Sequence, residues 1–191
     1  MSLSIFTAYN ALIKCLSLEV DTVLDIGSGA GKHTNFFNSE NKSVTSIDIV
    51  DNGYNIVGNY LDTEVEPHDL VWAAHILEHQ PNVNEFLKKC RTDCLKYICI
   101  TVPPSKPEIV GGHLTMWNAG LLMYNLVLAG FDCKNAKILQ YGYNLSIIAE
   151  VGNFELPDLN YDYGDIEKIA EWLPEGYNYH GFNGNITNLN W

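Results

Sequence analysis

Long apolar runs are absent from this 191-residue sequence, and lysine and arginine are scarce. No stretch reaches the roughly 18 consecutive apolar residues that a membrane-spanning helix needs. The chain has 11 Lys and Arg against 23 Asp and Glu, which gives a net charge of −12. Because proteins bind nucleic acids mainly through basic side chains at phosphates, we expect no nucleic acid as partner. Because no apolar run is long enough to span a bilayer, we also expect no membrane.

Paired cysteine motifs, repeats and linkers are also lacking. The 5 cysteines include no C-x-x-C pair, and Cys90 and Cys94 supply too few sulfurs for a zinc site. They fit reduced, buried thiols in a cytoplasmic protein. The N-terminus has apolar stripes but no basic start or cleavage site, which predicts a helix rather than a signal peptide. We expect one domain over the whole chain, with an N-terminal helix at 1–20, a core at 21–152 and a tail at 153–191.

Apolar runs of strand length alternate with helix-like segments along the core. Strands are expected at 22–28, 43–50, 54–60, 68–75 and 96–104. Helices are expected at 31–40, 82–95 and 118–130, with a further one in the tail at 163–173. Two more strand-like runs within 133–152 are joined by a turn too short for a parallel crossover, so they should be antiparallel. The pattern predicts a doubly wound α/β sheet, mostly parallel, with helices on both faces and one reversed strand near an edge.

The first strand-like run leads into three glycines at alternating positions, Gly27, Gly29 and Gly31. A turn without side chains lets a ligand approach the backbone, although tight packing alone would also explain it. Lys32 stands where a dinucleotide-binding G-x-G-x-x-G motif would have its third glycine. Asp25 precedes the turn, and an acid there suits an ammonium group better than a pyrophosphate. This combination indicates the amino-acid end of S-adenosylmethionine (SAM).

Asp48 closes the second strand-like run, 21 residues after Gly27. An acid at this place accepts hydrogen bonds from ribose hydroxyls in both dinucleotide and SAM sites. Capping a helix or a solvated turn is the alternative role for Asp48. Together with the glycines, it favours a cofactor that contains a nucleoside.

Four segments carry a resemblance to a known family: VLDIGSGAGKHT, SIDI, DLVWAAHILEHQPNVNEFLKKC and GFDC. They are similar to class I SAM-dependent methyltransferases of the small-molecule type (methyltransferase types 11 and 12), over roughly residues 20–151. The resemblance implies a Rossmann-like sheet of seven strands, the last antiparallel to the others. Such an enzyme would transfer a methyl group to a small-molecule or sugar-like acceptor.

The resemblance also implies a set of cofactor contacts. The methionine end of SAM would be lined by Asp25, Gly27, Gly29 and Gly31, and we expect Ser28 and His75 in the same site. Asp48 and Ile49 would hold the ribose and adenine. The family often has an acid near Asn59 that binds the adenine amine, and the side-chain carbonyl of Asn59 can accept that hydrogen bond.

Polar side chains follow the fourth and fifth strand-like runs, whose carboxyl ends face the ligand crevice. We expect His113, which follows two glycines in a loop, to be the substrate-side base, with His79 as the second candidate and Glu78 as a structural residue. With His75, these residues are similar to the metal-binding cluster of small-RNA 2′-O-methyltransferases. Those enzymes have a glutamate in place of His75 and bind RNA, which the acidic charge here opposes, so we expect no metal.

Two other functions compete with methyl transfer. A non-catalytic SAM-binding protein would share every cofactor feature, because this fold needs few chemical residues. A nicotinamide-dependent oxidoreductase would share Asp48, but Lys32 argues against it. Heat of binding with SAM, and none with NAD, would separate the cofactor classes.

Overall fold

The computed structural model of the chain describes residues 7–53, 55–179 and 181–191. The expected N-terminal helix lies partly outside these residues, since 1–6 are not described, and so does the start of the expected strand at 54–60, Tyr54. Within the described part, the first helix covers Tyr9–Leu16 and the third strand is reduced to Ile56–Val57.

A mixed sheet organises the chain. Its strands are β1 Thr22–Ile26, β2 Ser43–Asp48, β3 Ile56–Val57, β4 His68–Ala74, β5 Cys94–Val102, β6 Phe131–Tyr141, β7 Asn144–Val151 and β8 Asn188–Leu189. They lie in the order β3-β2-β1-β4-β5-β7-β6-β8. The pairs among β1 to β5 are parallel, whereas β7 runs antiparallel to both β5 and β6. The doubly wound sheet with its reversed strand is confirmed, and β8 adds an eighth strand because the tail pairs with the outer edge of β6.

Helices cover both faces of the sheet. They are α1 Tyr9–Leu16, α2 Lys32–Ser39, α3 Val83–Thr92, α4 Ala119–Leu128 and the short α5 Asp165–Lys168. One core joins α1 and α2 to the sheet around Phe37 and Trp72. The other joins α3, α4 and the tail to the opposite face around Phe86 and Leu122. Successive strand residues point to opposite faces, so both sides of the parallel strands are buried.

Two helices have boundaries in the structure that differ from those predicted from the sequence. The helix at 82–95 stops at Thr92 because the chain enters β5 at Cys94, where the Asp93 carbonyl accepts from the His68 N–H at 2.9 Å. The Asp93 carboxylate accepts hydrogen bonds from Tyr60 Oη at 2.8 Å and Lys89 Nζ at 2.9 Å. Cys94, expected on the same helical stripe as Cys90, belongs to β5. The tail helix at 163–173 divides into α5 and a 3₁₀ turn over Ala170–Trp172.

All 5 cysteines are buried and unbridged, as expected for structural thiols. Among the described helices, none combines the length and the apolar character needed to cross a membrane.

Candidate cofactor cleft and histidine cluster

A cleft opens at the carboxyl ends of β1 and β2. Its volume is about 250 Å³, and its walls include Gly27, Asp48, Ile49, Asn59 and His79. Small-molecule sites usually have about 300–1,000 Å³, so the cleft is slightly smaller than that range. Open α/β sheets bind their ligands at this end of the strands.

The glycine turn after β1 has all three glycines at positive φ: 73° at Gly27, 51° at Gly29 and 70° at Gly31. At Gly27, an added Cβ would lie 3.0 Å from Ile76 Cδ1, so Ile76 would have to shift slightly to admit a side chain. At Gly29, a Cβ would meet no described atom within 4 Å. Gly29 is therefore required by its backbone conformation, and the space beside it is open to a ligand.

Asp48 connects β2 to the glycine turn. One carboxylate oxygen accepts from the Gly29 N–H at 2.7 Å, and the other accepts from the Val50 N–H at 2.9 Å. Asp48 thus has the turn-capping role that the sequence left open. Each oxygen has a further lone pair, so the carboxylate can still accept hydrogen bonds from a ligand in the cleft.

Asp25 lies in β1 just before the glycine turn and is 1% exposed. Its carboxylate accepts a 2.6 Å hydrogen bond from Thr34 Oγ1. Burial raises the pKa of Asp25 from 3.8 to about 6; hydrogen bonds from Thr34 oppose the shift and the charge of Asp48 adds to it. Asp25 therefore holds a negative charge at neutral pH at a site where that charge is poorly solvated, which favours a nearby cation.

Several of the expected cofactor residues surround the cleft without forming its wall. These are Asp25, Ser28, Gly29, Gly31 and His75. Asn52, which the sequence analysis did not single out, donates from Nδ2 to Ser28 Oγ at 3.2 Å and to the Gly29 carbonyl at 2.9 Å. In the sequence, the polar residues that follow Asp48 are the signal that could have predicted this contact with the glycine turn.

Asn59 lines the cleft and also caps a 3₁₀ turn over Tyr60–Asp62. Its side-chain carbonyl accepts from the Leu61 N–H at 3.3 Å, and its Nδ2 donates to Asp62 Oδ2 at 2.8 Å. This arrangement fixes which end of the amide is the acceptor, and it leaves one lone pair of that oxygen for a ligand.

His75 directly follows β4 and has an unusual positive φ of 56°. Its Nε2 is 2.9 Å from Asn144 Oδ1, which also accepts from the Ala8 N–H, and its Nδ1 is 3.3 Å from Glu78 Oε1. Burial by itself lowers the pKa of His75, but the hydrogen bonds to Glu78 and Asn144 and the charge of Glu78 raise it overall. Both ring nitrogens therefore face acceptors.

Glu78, His79 and His113 form one cluster, hereafter the histidine cluster. Their potential ligand atoms all lie within 4.8 Å of one another, and the two imidazole rings are 5.0 Å apart and nearly perpendicular. The Glu78 carbonyl accepts from the N–H groups of Leu114 and Thr115 at 2.7 and 3.3 Å. These bonds hold the loop after β5 against the turn after β4, which explains why residues distant in sequence meet here.

The histidine cluster lies between two cavities. His79 lines the cofactor cleft, whereas Glu78 and His113 line a second cavity of about 150 Å³ under the loop after β5. The wall of this second cavity also includes Pro103 and Lys106. Groups at the cluster can therefore contact molecules on both sides.

Comparison with known proteins gives structural relatives only. No protein-family model matches the sequence, and no curated protein is detectably similar to it. A SAM-dependent methyltransferase from Archaeoglobus fulgidus matches with a TM-score of 0.65 and 18% identity, over 78% of this chain and 94% of that one. The 1,6-didemethyltoxoflavin-N1-methyltransferase of Burkholderia thailandensis matches with a TM-score of 0.64 and 17% identity, over 75% and 76%.

Magnesium protoporphyrin IX methyltransferase from Synechocystis, solved with S-adenosylhomocysteine, is also similar, with a TM-score of 0.60, 12% identity and coverage of 75% and 80%. These similarities confirm the expected fold. The chain has the fold of class I SAM-dependent methyltransferases.

Proposed function

We propose that this protein is a methyltransferase that uses SAM and acts on a small-molecule or sugar-like acceptor. The observation that carries the proposal is the cleft at the ends of β1 and β2, whose wall includes Asp48 and Gly27 of the glycine turn, with open space beside the neighbouring Gly29. The structural neighbours support it, since two of them were crystallised with S-adenosylhomocysteine and are named for small-molecule acceptors.

The residues around the cleft fit the chemical groups of SAM. Asp48 offers lone pairs to ribose hydroxyls, and Ile49 and Asn59 offer an apolar contact and an acceptor to the adenine. The buried charge of Asp25 is compensated by an ammonium group near the glycine turn. When bound, SAM supplies a methyl group activated by its sulfonium.

The second cavity fits the acceptor side. His113 borders it and is in contact with His79, which borders the cofactor cleft. An imidazole there orients an acceptor hydroxyl or amine and can take its proton. The acidic net charge of −12 and the size of the cavity, about 150 Å³, both favour a small acceptor over a nucleic acid.

Titration calorimetry tests the cofactor. We expect saturable heat with SAM and S-adenosylhomocysteine and none with NAD. Heat with NAD alone would reject the proposal in favour of an oxidoreductase. Incubation with SAM and a panel of hydroxylated and amine-bearing small molecules, followed by measurement of S-adenosylhomocysteine, then tests catalysis. SAM binding without turnover on any acceptor would favour a non-catalytic SAM-binding protein.

A further inference from the structure

We propose that the histidine cluster binds a divalent transition-metal ion through Glu78, His79 and His113. This departs from the absence of metal expected from the sequence, where the RNA substrate of the similar enzymes and their glutamate in place of His75 both argued against one. The distances within the cluster favour a metal. The metal site itself is independent of the proposed function, whereas its role toward an acceptor rests on it.

The carboxylate of Glu78 is the first argument. The residue is 1% exposed, and within the described part of the chain its Oε2 has no hydrogen-bond partner. A buried, unpartnered carboxylate oxygen is costly because it has lost its water without replacement. A cation beside Oε2 satisfies it. His75 contacts the other oxygen at 3.3 Å, as outer groups do when they orient a metal-ligating carboxylate.

The hydrogen bonding of the His79 ring is the second argument. Its Nδ1 lies 2.8 Å from the Gly112 carbonyl, so Nδ1 carries a hydrogen and donates it. In the neutral ring, Nε2 then has a lone pair, and that atom is 3.9 Å from Glu78 Oε1. This lone pair and the Glu78 carboxylate, whose Oε2 is unpartnered, can share one cation. Metal-ligating histidines typically donate their other ring N–H to a carbonyl in this way.

The loop that carries His113 is the third argument. Backbone bonds to Glu78 hold the loop in place, and the ligand atoms of all three residues lie within 4.8 Å. Metal–ligand bonds of about 2.0–2.2 Å require a closer approach. Gly111 and Gly112 directly precede His113, and Gly112 has a φ of 82°, so the loop backbone has the freedom to make this small closure.

The donor set selects the metal. Two imidazoles and one carboxylate suit Zn²⁺, Fe²⁺, Co²⁺ or Mn²⁺ better than Mg²⁺ or Ca²⁺. Three protein ligands leave coordination positions open beside the second cavity, which Glu78 and His113 line. A bound metal would lower the pKa of an acceptor hydroxyl beside it, and the proton would pass to solvent water. His113 would then be a metal ligand and not the base.

Metal titration in the absence of SAM tests the site. Chelator-treated protein is titrated with Co²⁺ or Zn²⁺ by calorimetry, with the visible spectrum of Co²⁺ as a second readout. We expect one equivalent to bind, and His113→Asn and His79→Asn each to weaken binding by at least about tenfold. Glu85→Gln removes an exposed carboxylate of α3 that lines neither cavity and should leave the affinity unchanged.

Glu78→Gln should also abolish metal binding. Because Glu78 is buried, circular dichroism checks that this variant folds. If the variant does not fold, the two histidine variants alone test the metal site. The proposal is overturned if the wild-type protein binds no stoichiometric metal, or if both histidine variants bind it as the wild type does. Loss of the metal site with SAM binding intact rejects this inference alone. Metal binding without SAM binding rejects the proposed cofactor and keeps the site.

Discussion

The glycine turn and the histidine cluster lie on two sides of the same crevice but differ in how their polar groups are satisfied. Around the glycine turn, Asp48 and Asn52 are already hydrogen-bonded to the backbone they adjoin. At the histidine cluster, the buried Oε2 of Glu78 has no hydrogen-bond partner among the described residues, and His79 Nε2 lies 3.9 Å from the other carboxylate oxygen, Oε1.

This difference suggests a division of roles. The glycine turn is shaped before a ligand arrives, so it suits binding with little rearrangement. The histidine cluster needs a further proton, ion or substrate group to complete it, which is typical of a site where chemistry occurs. Changes to the first region should therefore alter cofactor affinity, and changes to the second should alter turnover.

The largest effect is expected from Gly29→Val, which should abolish measurable SAM binding. A β-branched residue is strained at the φ of 51°, and its side chain would enter the open space beside the turn. Gly142→Val is a matched control, because Gly142 has a φ of 52° and equally open surroundings in the β6–β7 turn. Calorimetry with SAM should show binding by the control only. Equal loss in both variants would mean that strain alone was responsible.

His113→Asn should lower turnover by about 10²–10⁴-fold, because it removes a base or, with the metal bound, a ligand of that metal. SAM affinity should stay close to that of the wild type, since His113 does not line the cofactor cleft. Both are measured with the acceptor found in the panel. If His113→Asn loses SAM affinity and keeps turnover, the proposed separation of cofactor binding at the glycine turn from chemistry at the histidine cluster is wrong.

Asp48→Ala should weaken SAM binding by at least about tenfold, the loss expected for one charge-assisted hydrogen bond of about 1.5–3 kcal/mol. Because the carboxylate also accepts from Gly29 and Val50, the ligand-free protein should lose about 1–3 kcal/mol of unfolding free energy. Asp48→Asn keeps one acceptor and should lie between alanine and the wild type in a denaturant titration and in calorimetry. Unchanged SAM affinity in both variants would remove Asp48 from the cofactor site.

The smallest effect concerns pH and Asp25, whose pKa is raised from 3.8 to about 6. The folded, ligand-free protein then binds this proton more tightly than the unfolded chain, so the contribution of Asp25 to stability grows as the pH falls through about 6 toward 4. SAM affinity should change in the opposite direction, falling several-fold from pH 7 to pH 5 as the carboxylate is neutralised, roughly tenfold at most.

Asp25→Asn is the control for this pH dependence, since it has no charge to lose. Its SAM affinity should be lower than that of the wild type at pH 7 and nearly constant down to pH 5. If the wild type and the variant show the same pH profile, the ammonium group of SAM does not depend on Asp25.

Much of the fold could be predicted because local patterns determine it. The turn between β6 and β7 is too short for a parallel crossover, which required the reversed strand. The end of α3 could not be read in the same way, since it lies where β5 begins to pair with β4 at His68, which is distant in sequence. The strand β8 depends on where the tail returns to the sheet, and its short sequence carries no signal for this.

The candidate site was predictable only in its residue types. The acids and glycines at the ends of β1 and β2 follow from topology, because ligands bind at that end of a parallel sheet. The brace from Asn52 and the unpartnered oxygen of Glu78 depend on distances between separate loops. The convergence of Glu78 and His113 in turn depends on backbone hydrogen bonds that no side-chain pattern encodes.

The edges of the sheet have a consequence for how copies of the chain meet. β3 at one edge and β8 at the other are each 2 residues long. A long, flat edge strand offers a row of unpaired backbone groups to another sheet, and short edge strands largely remove that row. Although Ile56 and Val57 of β3 are 40% and 54% exposed, the backbone beside them is too short to template a neighbour. The two short strands therefore offer little backbone to a neighbouring sheet, although each covers only two residues of the longer strand beside it, Ile47 and Asp48 of β2 and Ile138 and Leu139 of β6.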